Sequence, residues 1–332
     1  MANRRWIPLA DVDLSGNELQ YVTEAVKSGW LTHKGPYVKR FEEHFRNLTG
    51  TESLACSSGT AALHLALLAS GIGPGDEVIV PDLTFGATAS VVKAVGARLI
   101  LADVDEDWGI ADFEHLVSPD TKAVIPVHLY GERCDMRMVM RIATKYKLLV
   151  IEDSCEAIDV QRVGHFACYS FFGNKHITTG EGGVISGPNL DRARLYRDGG
   201  FDGQYFFVLP GLNYRMTNLQ AAVGCAQMER LEDILAARRR NAARYKKALK
   251  GLGEWLFVVF VNNPFELREK LKEEKIDTRL VFPPLHEQPP FLNYGEFPGA
   301  KEASTTGLCL PTGPHVTTDQ IDFIIEKVLK YA

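Results

Sequence analysis

Hydrophobic positions along the chain follow two rhythms that alternate. Leu19, Val22 and Val26 recur at helical spacing behind Ser15-x-x-Glu18, a capping-box pattern, and the run stops at Ser28-Gly29, so the spacing predicts a helix of about three turns. Phe41 and Phe45 mark a second helix, and Ala61 to Leu68 forms a third that opens on Ser57-Ser58-Gly59-Thr60. From Gly75 onward the rhythm changes. Short apolar runs at Glu77–Val80, Arg98–Leu101, Ala123–His128 and Leu148–Ile151 are separated by helical stretches over Ala87–Val95 and Met136–Tyr146. Strands that are apolar without alternation are buried on both faces. The expectation is an α/β fold, a mostly parallel sheet with helices on both sides.

Past Gly183 the texture shifts. Thr217 to Leu249 reads as one long helix with Arg238-Arg239-Arg240 on its solvated face. A smaller unit follows: strand Leu256–Val261, helix Pro264–Lys275, strand Thr278–Phe282, a proline-rich loop over Pro283–Pro298 and a last helix opened by Thr317-x-x-Gln320. The boundary is placed near residue 240, giving a large domain over 1–240 and a small one over 241–332. No internal repeat is visible.

Composition narrows the class. The 332 residues are 45% hydrophobic and 24% charged, with a formal net charge of −5 and a pI near 6.0, so no basic field points to nucleic acid or an anionic membrane. The Met1–Pro8 start has no apolar core of signal-peptide length, and nowhere do about 18 apolar residues run together. A cytoplasmic location is expected. Six cysteines without a C-x-x-C pair fit reduced thiols, and the nine histidines show no metal-ligand spacing.

The segment Tyr169-Ser-Phe-Phe-Gly-Asn-Lys175-His-Ile-Thr-Thr-Gly-Glu-Gly-Gly183 carries the chemistry. Lys175 follows aromatic residues that bury readily and precedes a run suited to close backbone approach. A lysine drawn out of water is a candidate nucleophile for a carbonyl, pyridoxal phosphate included, although a lone lysine near glycines is most often a solvated turn residue. Ser57-Ser58-Gly59-Thr60 at a helix start can cradle a phosphate, or can simply cap the helix. Leu149-Val-Ile-Glu-Asp153 brings a carboxylate to the carboxyl end of a buried strand, where α/β sheets bind ligands and where aspartates also cap helices. Phe85 could stack on a flat ring, but a lone aromatic belongs more often to the core. Cys155 reads as a small buried hydrophobe. Taken together these groups supply what pyridoxal phosphate requires: a phosphate site, a carboxylate for a pyridinium nitrogen, an aromatic face and an amine.

With those residues in view, the chain resembles the sugar aminotransferases of the DegT/DnrJ/EryC1/StrS family. The match rests on Trp30–Pro36, Ser57–Ala66, Gly75–Pro81, Val127–Gly131, Ile151–Asp153, Ser170–Gly183 and Gly211–Thr217, in order along nearly the whole chain. The resemblance implies the aspartate-aminotransferase fold, fold type I of the pyridoxal-phosphate-dependent transferases. Within the family, Phe-Gly-Asn-Lys-x-Ile-Thr-Thr-Gly-Glu-Gly-Gly with Glu156 after Asp153 is most similar to the perosamine-forming branch, which aminates C4 of GDP-4-keto-6-deoxymannose.

Roles follow as implications of that resemblance. Lys175 would hold the cofactor and move the proton, Asp153 would pair with the ring nitrogen beside Glu156, and Phe85 would stack on the ring. Gly59, Thr60, Ala61 and Ser170 would hold the phosphate. Asn213 would reach the phosphate of a neighbouring subunit, making a homodimer with shared sites. The substrates would be a keto nucleotide sugar and an amino-acid donor, L-glutamate by family default. Lys34, His128, Arg215, Arg279 and His286 are candidate sugar or diphosphate contacts. Two departures stand out, a shortened link between Glu156 and Ser170 and a contraction after Trp255. A different nucleotide sugar and a regulatory homologue with reduced turnover are the alternatives. A family dehydratase would carry histidine in place of Lys175.

Overall fold

The computed structural model describes residues 6–203 and 205–332. Met1–Arg5, which bear on the expectation about the start of the chain, lie outside the described residues. Seven strands form the large sheet: β1 Ser53–Cys56, β2 Glu77–Pro81, β3 Arg98–Ala102, β4 Thr121–Val124, β5 Leu149–Asp153, β6 Phe166–Ser170 and β7 Gly183–Ser186. Their order is β1-β7-β6-β5-β4-β2-β3. Neighbours from β3 to β6 pair in parallel, while β7 runs antiparallel to both β6 and β1.

That topology gathers one edge. β5 and β6 end there at Asp153 and Ser170, and β1 ends there at Cys56, because Cys56 and Ser170 both pair with Gly183 at the start of β7. Gly183 permits the approach, since a Cβ at this position would stand 2.2 Å from the Ser58 carbonyl oxygen. The helices Gly59–Ala69 and Ala87–Ala94 pack on the sheet through Leu63, Leu65, Ala66, Val91 and Val92, all buried. The second sheet holds β8 Gly251–Leu252, β9 Phe257–Phe260, β10 Arg279–Leu280 and β11 Gly307–Leu310 in the order β10-β11-β9-β8. One buried cluster joins the sheets, running from Val80 and Ile125 to Trp255, Val258 and Cys309. Among the described residues no helix is long and apolar enough to cross a membrane.

Three readings of the sequence need correction. The first helix spans Glu18–Ser28 with Asn17 at its cap and no side-chain cap bond. Glu18 is instead buried, accepting from Gln227 Nε2 at 2.7 Å, so burial took the residue that the capping pattern assigned to the helix end. The long helix is two, Asn218–Glu229 and Leu231–Lys246, broken at Arg230, which is drawn into a two-pronged contact with Asp13 at 2.6 and 3.1 Å. Arg238 is not solvated but 4% exposed, spending its guanidinium on carbonyls inside the fold. Thr217 and Thr317 do form capping boxes with Gln220 and Gln320.

Candidate active site

At the gathered edge lies a cavity of about 330 Å³, walled by Ser58, Gly59, Thr60, Asp153, Glu156, Ser170 and Lys175 from the large sheet and by Trp255, Arg279 and Phe282 from the smaller unit. A volume of this order suits a small cofactor.

Its floor is built from helix and strand ends. Ser58 caps the helix Gly59–Ala69 by accepting from Ala61 N at 3.1 Å. The N–H groups of Gly59 and Thr60 precede the first intrahelical bond, and both residues face the cavity. A Cβ at Gly59 would lie 2.7 Å from Ser170 Cβ, so only glycine leaves this corner open beside the Ser170 hydroxyl. The helix start thus offers an oxyanion two N–H groups and the positive end of its dipole. Ala61, expected among the phosphate donors, has its N–H taken by Ser58 and does not line the cavity.

Asp153 is 5% exposed and accepts from Thr88 Oγ1 at 2.7 Å and from Cys155 N at 3.1 Å. A buried carboxylate held by two donors is ready for a cationic partner in the cavity. Cys155 lies in the wall, and burial pushes its thiol well above the ordinary range, so it stays protonated. Lys175 sits just past β6. Its Nζ is 3.3 Å from Glu156 Oε1 and 4.3 Å from the centroid of the Trp255 ring. Glu156 Oε2 accepts from Tyr130 N at 2.9 Å. Phe85 is 60% exposed at the cavity wall, 5.8 Å from Phe282, which overturns the core assignment that residue type alone favours.

Of the candidate substrate contacts, Arg279 alone lines this cavity. His128 is a correction: it is fully buried, with Nε2 3.0 Å from Glu152 and Nδ1 accepting from Cys134 N, so neither nitrogen can reach a ligand. Burial alone would raise the Glu152 carboxyl, but His128 and the N–H groups of Gly164 and Val163 outweigh it and bring it below its usual value. Those two N–H bonds, 2.5 and 2.7 Å, close the short Glu156–Ser170 link onto the sheet. Lys34 is exposed ahead of the helix Pro36–Thr49, Arg215 donates to Asp198 O at 2.9 Å, and His286 holds Asp82 at 2.6 Å while stacking on Phe297. Asn213 is exposed and pairs by its backbone with Asp198, outside the cavity of its own chain.

Sequence reasoning missed Thr88, Tyr130, Trp255, Phe282 and Arg238. Thr88 lies three residues past Phe85, and Tyr130 lies within Val127–Gly131, one of the segments that carry the resemblance.

Sheet order and site together define the pyridoxal-phosphate-dependent transferase fold of type I. The chain belongs to the DegT/DnrJ/EryC1/StrS aminotransferase family, whose profile matches residues 12–329. It is 40% identical to a GDP-perosamine synthase of Caulobacter vibrioides, covering 96% of each chain, and 36% identical to one of Escherichia coli O157:H7, covering 98% of this chain and 99% of that one. The putative sugar aminotransferase Spr1654 of Streptococcus pneumoniae has been solved in apo, PMP and PLP forms. Its apo form superposes with a TM-score of 0.92 at 25% identity, over 97% of this chain and 96% of that one. The alignment with the Caulobacter relative runs 357 positions against 332 residues here, so at least 25 positions of that relative have no counterpart.

Proposed function

We propose that the protein moves an amino group from an amino acid, L-glutamate by preference, to the C4 ketone of GDP-4-keto-6-deoxymannose, with pyridoxal phosphate as cofactor and a shared-site homodimer in the cytoplasm as the working unit. The observation that carries this reading is Lys175 Nζ, 3.3 Å from Glu156, in one cavity with Asp153 and the Gly59–Thr60 helix start. The choice of sugar and nucleotide rests on the two GDP-perosamine synthases at 40% and 36% identity.

The donor set fits the cofactor: the corner at Gly59 that a Cβ would fill is left open, and Asp153 sits buried with hydrogen-bond donors but, among the described residues, no cation of its own. When bound, pyridoxal phosphate supplies a carbonyl for an amine and an electron sink for the donor's Cα. Gly59, Thr60, Ser58 and Ser170 hold its phosphate. Asp153 would keep the ring nitrogen protonated, a charge pair on the order of 4 kcal/mol. Phe85, exposed at the cavity wall, would pack against the ring. Lys175 carries the proton at Nζ, and Glu156 aims that amine. Asn213, outside its own cavity, serves the neighbouring subunit, and Arg279 meets an anionic part of the substrate.

The test is product analysis. Purified protein with L-glutamate and a panel of GDP-, dTDP- and UDP-linked keto sugars should give a GDP-linked 4-amino sugar by mass spectrometry. Amination of a dTDP or UDP sugar alone would move the assignment to another branch, and binding without turnover would favour a regulatory homologue.

A further inference from the structure

Trp255 belongs to none of the roles above, yet it is more tightly fixed than any of them. Its backbone N donates to Tyr130 O at 3.0 Å, and its carbonyl accepts from Arg238 Nη1 at 2.8 Å and Thr312 Oγ1 at 2.5 Å. Its indole N–H donates to Asn174 O at 2.9 Å, and the ring stacks on Tyr130 at 6.2 Å and 13°. The residue is 1% exposed. At Gly131 a Cβ would stand 2.7 Å from Trp255 N, so the two backbone segments are pressed together there. Onto this fixed face falls Lys175 Nζ, 4.3 Å from the ring centroid.

We propose that Trp255 is a positioning residue for the reaction: its indole face seats the Lys175 ammonium whenever that amine is not bonded to the cofactor. The inference rests on Lys175 being the cofactor lysine. A lysine released partway through each turnover has a flexible four-carbon stem with which to wander from the reacting carbon. A carboxylate such as Glu156 attracts it but also holds its proton in a hydrogen bond. A ring face attracts the charge through its quadrupole and accepts no proton, so the amine is held while its proton stays available. The indole N–H fixes the backbone from the same side, because Asn174 directly precedes Lys175, and Arg238 joins the two segments by donating to both Trp255 O and Lys175 O. The other charged groups at the seat are Glu156 at 3.3 Å from Nζ and Arg279, whose Cζ lies 5.7 Å from the same ring.

The experiment reads the lysine rather than turnover. Holoenzyme is treated with L-glutamate until the cofactor carries the amino group, then pulsed with acetic anhydride near pH 8, and acetylation of the Lys175 peptide is measured against exposed lysines by mass spectrometry. Replacing all four tryptophans by mono-, di- and trifluorotryptophan weakens the ring quadrupole at nearly constant shape; Trp108, the other buried one, contacts Tyr130 and Phe260 instead of Lys175. Labelling at Lys175 should rise stepwise along the series, reaching on the order of tenfold, because a freed amine reacts and a seated ammonium does not. Trp255→Phe, which keeps a weaker π-face and loses the indole bond to Asn174, should fall between wild type and Trp255→Leu, and Trp255→Leu should match or exceed the trifluoro protein. A flat response across the fluorinated series, or Trp255→Phe labelling as fast as Trp255→Leu, overturns the proposal, and the fluorinated proteins decide it even if Trp255→Leu does not fold. If L-glutamate leaves the cofactor unchanged, the aminotransferase reading fails instead, and the same pulse on cofactor-free protein still tests the seat.

Discussion

Tyr130 donates its backbone N–H to Glu156 Oε2 at 2.9 Å from a left-handed backbone conformation, φ 54°, that a buried aromatic residue adopts only when its surroundings force it. The ring is clamped between Trp255 and Phe282, and the carbonyl accepts from Glu254 N and Trp255 N, so the conformation is over-determined. The result is a carboxylate fixed at one oxygen with the other turned to Lys175.

On the proposed function, Glu156 would act on the lysine, which it meets at 3.3 Å, while Asp153 would act on the ring nitrogen. Asp153→Asn should slow the single-turnover reaction with L-glutamate by about 1,000-fold, the value of a 4 kcal/mol charge pair expressed in the barrier. Glu156→Gln should cost roughly tenfold, because the amide still accepts from Tyr130 N. Stopped-flow traces with equal losses, or a larger loss at Glu156, would reverse the two roles.

His128 is a structural residue here, and its substitution separates stability from binding. His128→Leu leaves Glu152 buried without its partner, at a cost of about 2–3 kcal/mol in urea unfolding. The KM for the nucleotide sugar should stay within about twofold of wild type. A raised KM at unchanged stability would return His128 to the substrate site.

Much of this site was readable in the chain, for a physical reason. Asp153, Ser170 and the Ser58–Thr60 cap lie at ends of regular elements, and the apolar run of β5 and the apolar helix from Ala61 to Leu68 announced where two of those ends fall. Phe85 could not be placed because the same residue serves a core and a ligand face. His128 and Arg238 were misplaced because polarity suggests solvent, whereas Glu152 in one case and backbone carbonyls in the other supply partners inside the fold. Trp255 reaches Lys175 across 80 positions of sequence, through sheet packing that no local pattern records.

His176 gives a pH signature. Burial, aided by the positive charges of Arg238, Lys175 and Arg239, holds its imidazole well below the ordinary value near 6.5. The folded protein thus refuses a proton that the unfolded chain accepts below pH 6.5, so stability falls on acidification through that range, by up to about 1.4 kcal/mol per pH unit for this residue. Thermal midpoints between pH 7.5 and 5.5 should decline in the wild type and decline less in His176→Gln. Parallel slopes would show that His176 takes its proton while folded.

Asn213 tests the shared site. Mixing inactive Lys175→Ala subunits with inactive Asn213→Asp subunits should restore part of the activity once native mass spectrometry shows hybrid dimers, because one site of each hybrid receives both native residues. Hybrids that form and remain dead, or a fully active monomer, would contradict a shared site.

The central claim is that Lys175 carries the cofactor. Holoenzyme reduced with borohydride and digested should show the cofactor mass on the Lys175 peptide alone, and prior incubation with L-glutamate should abolish that adduct. The mass on another lysine, or an adduct at Lys175 indifferent to the amino donor, would contradict the account.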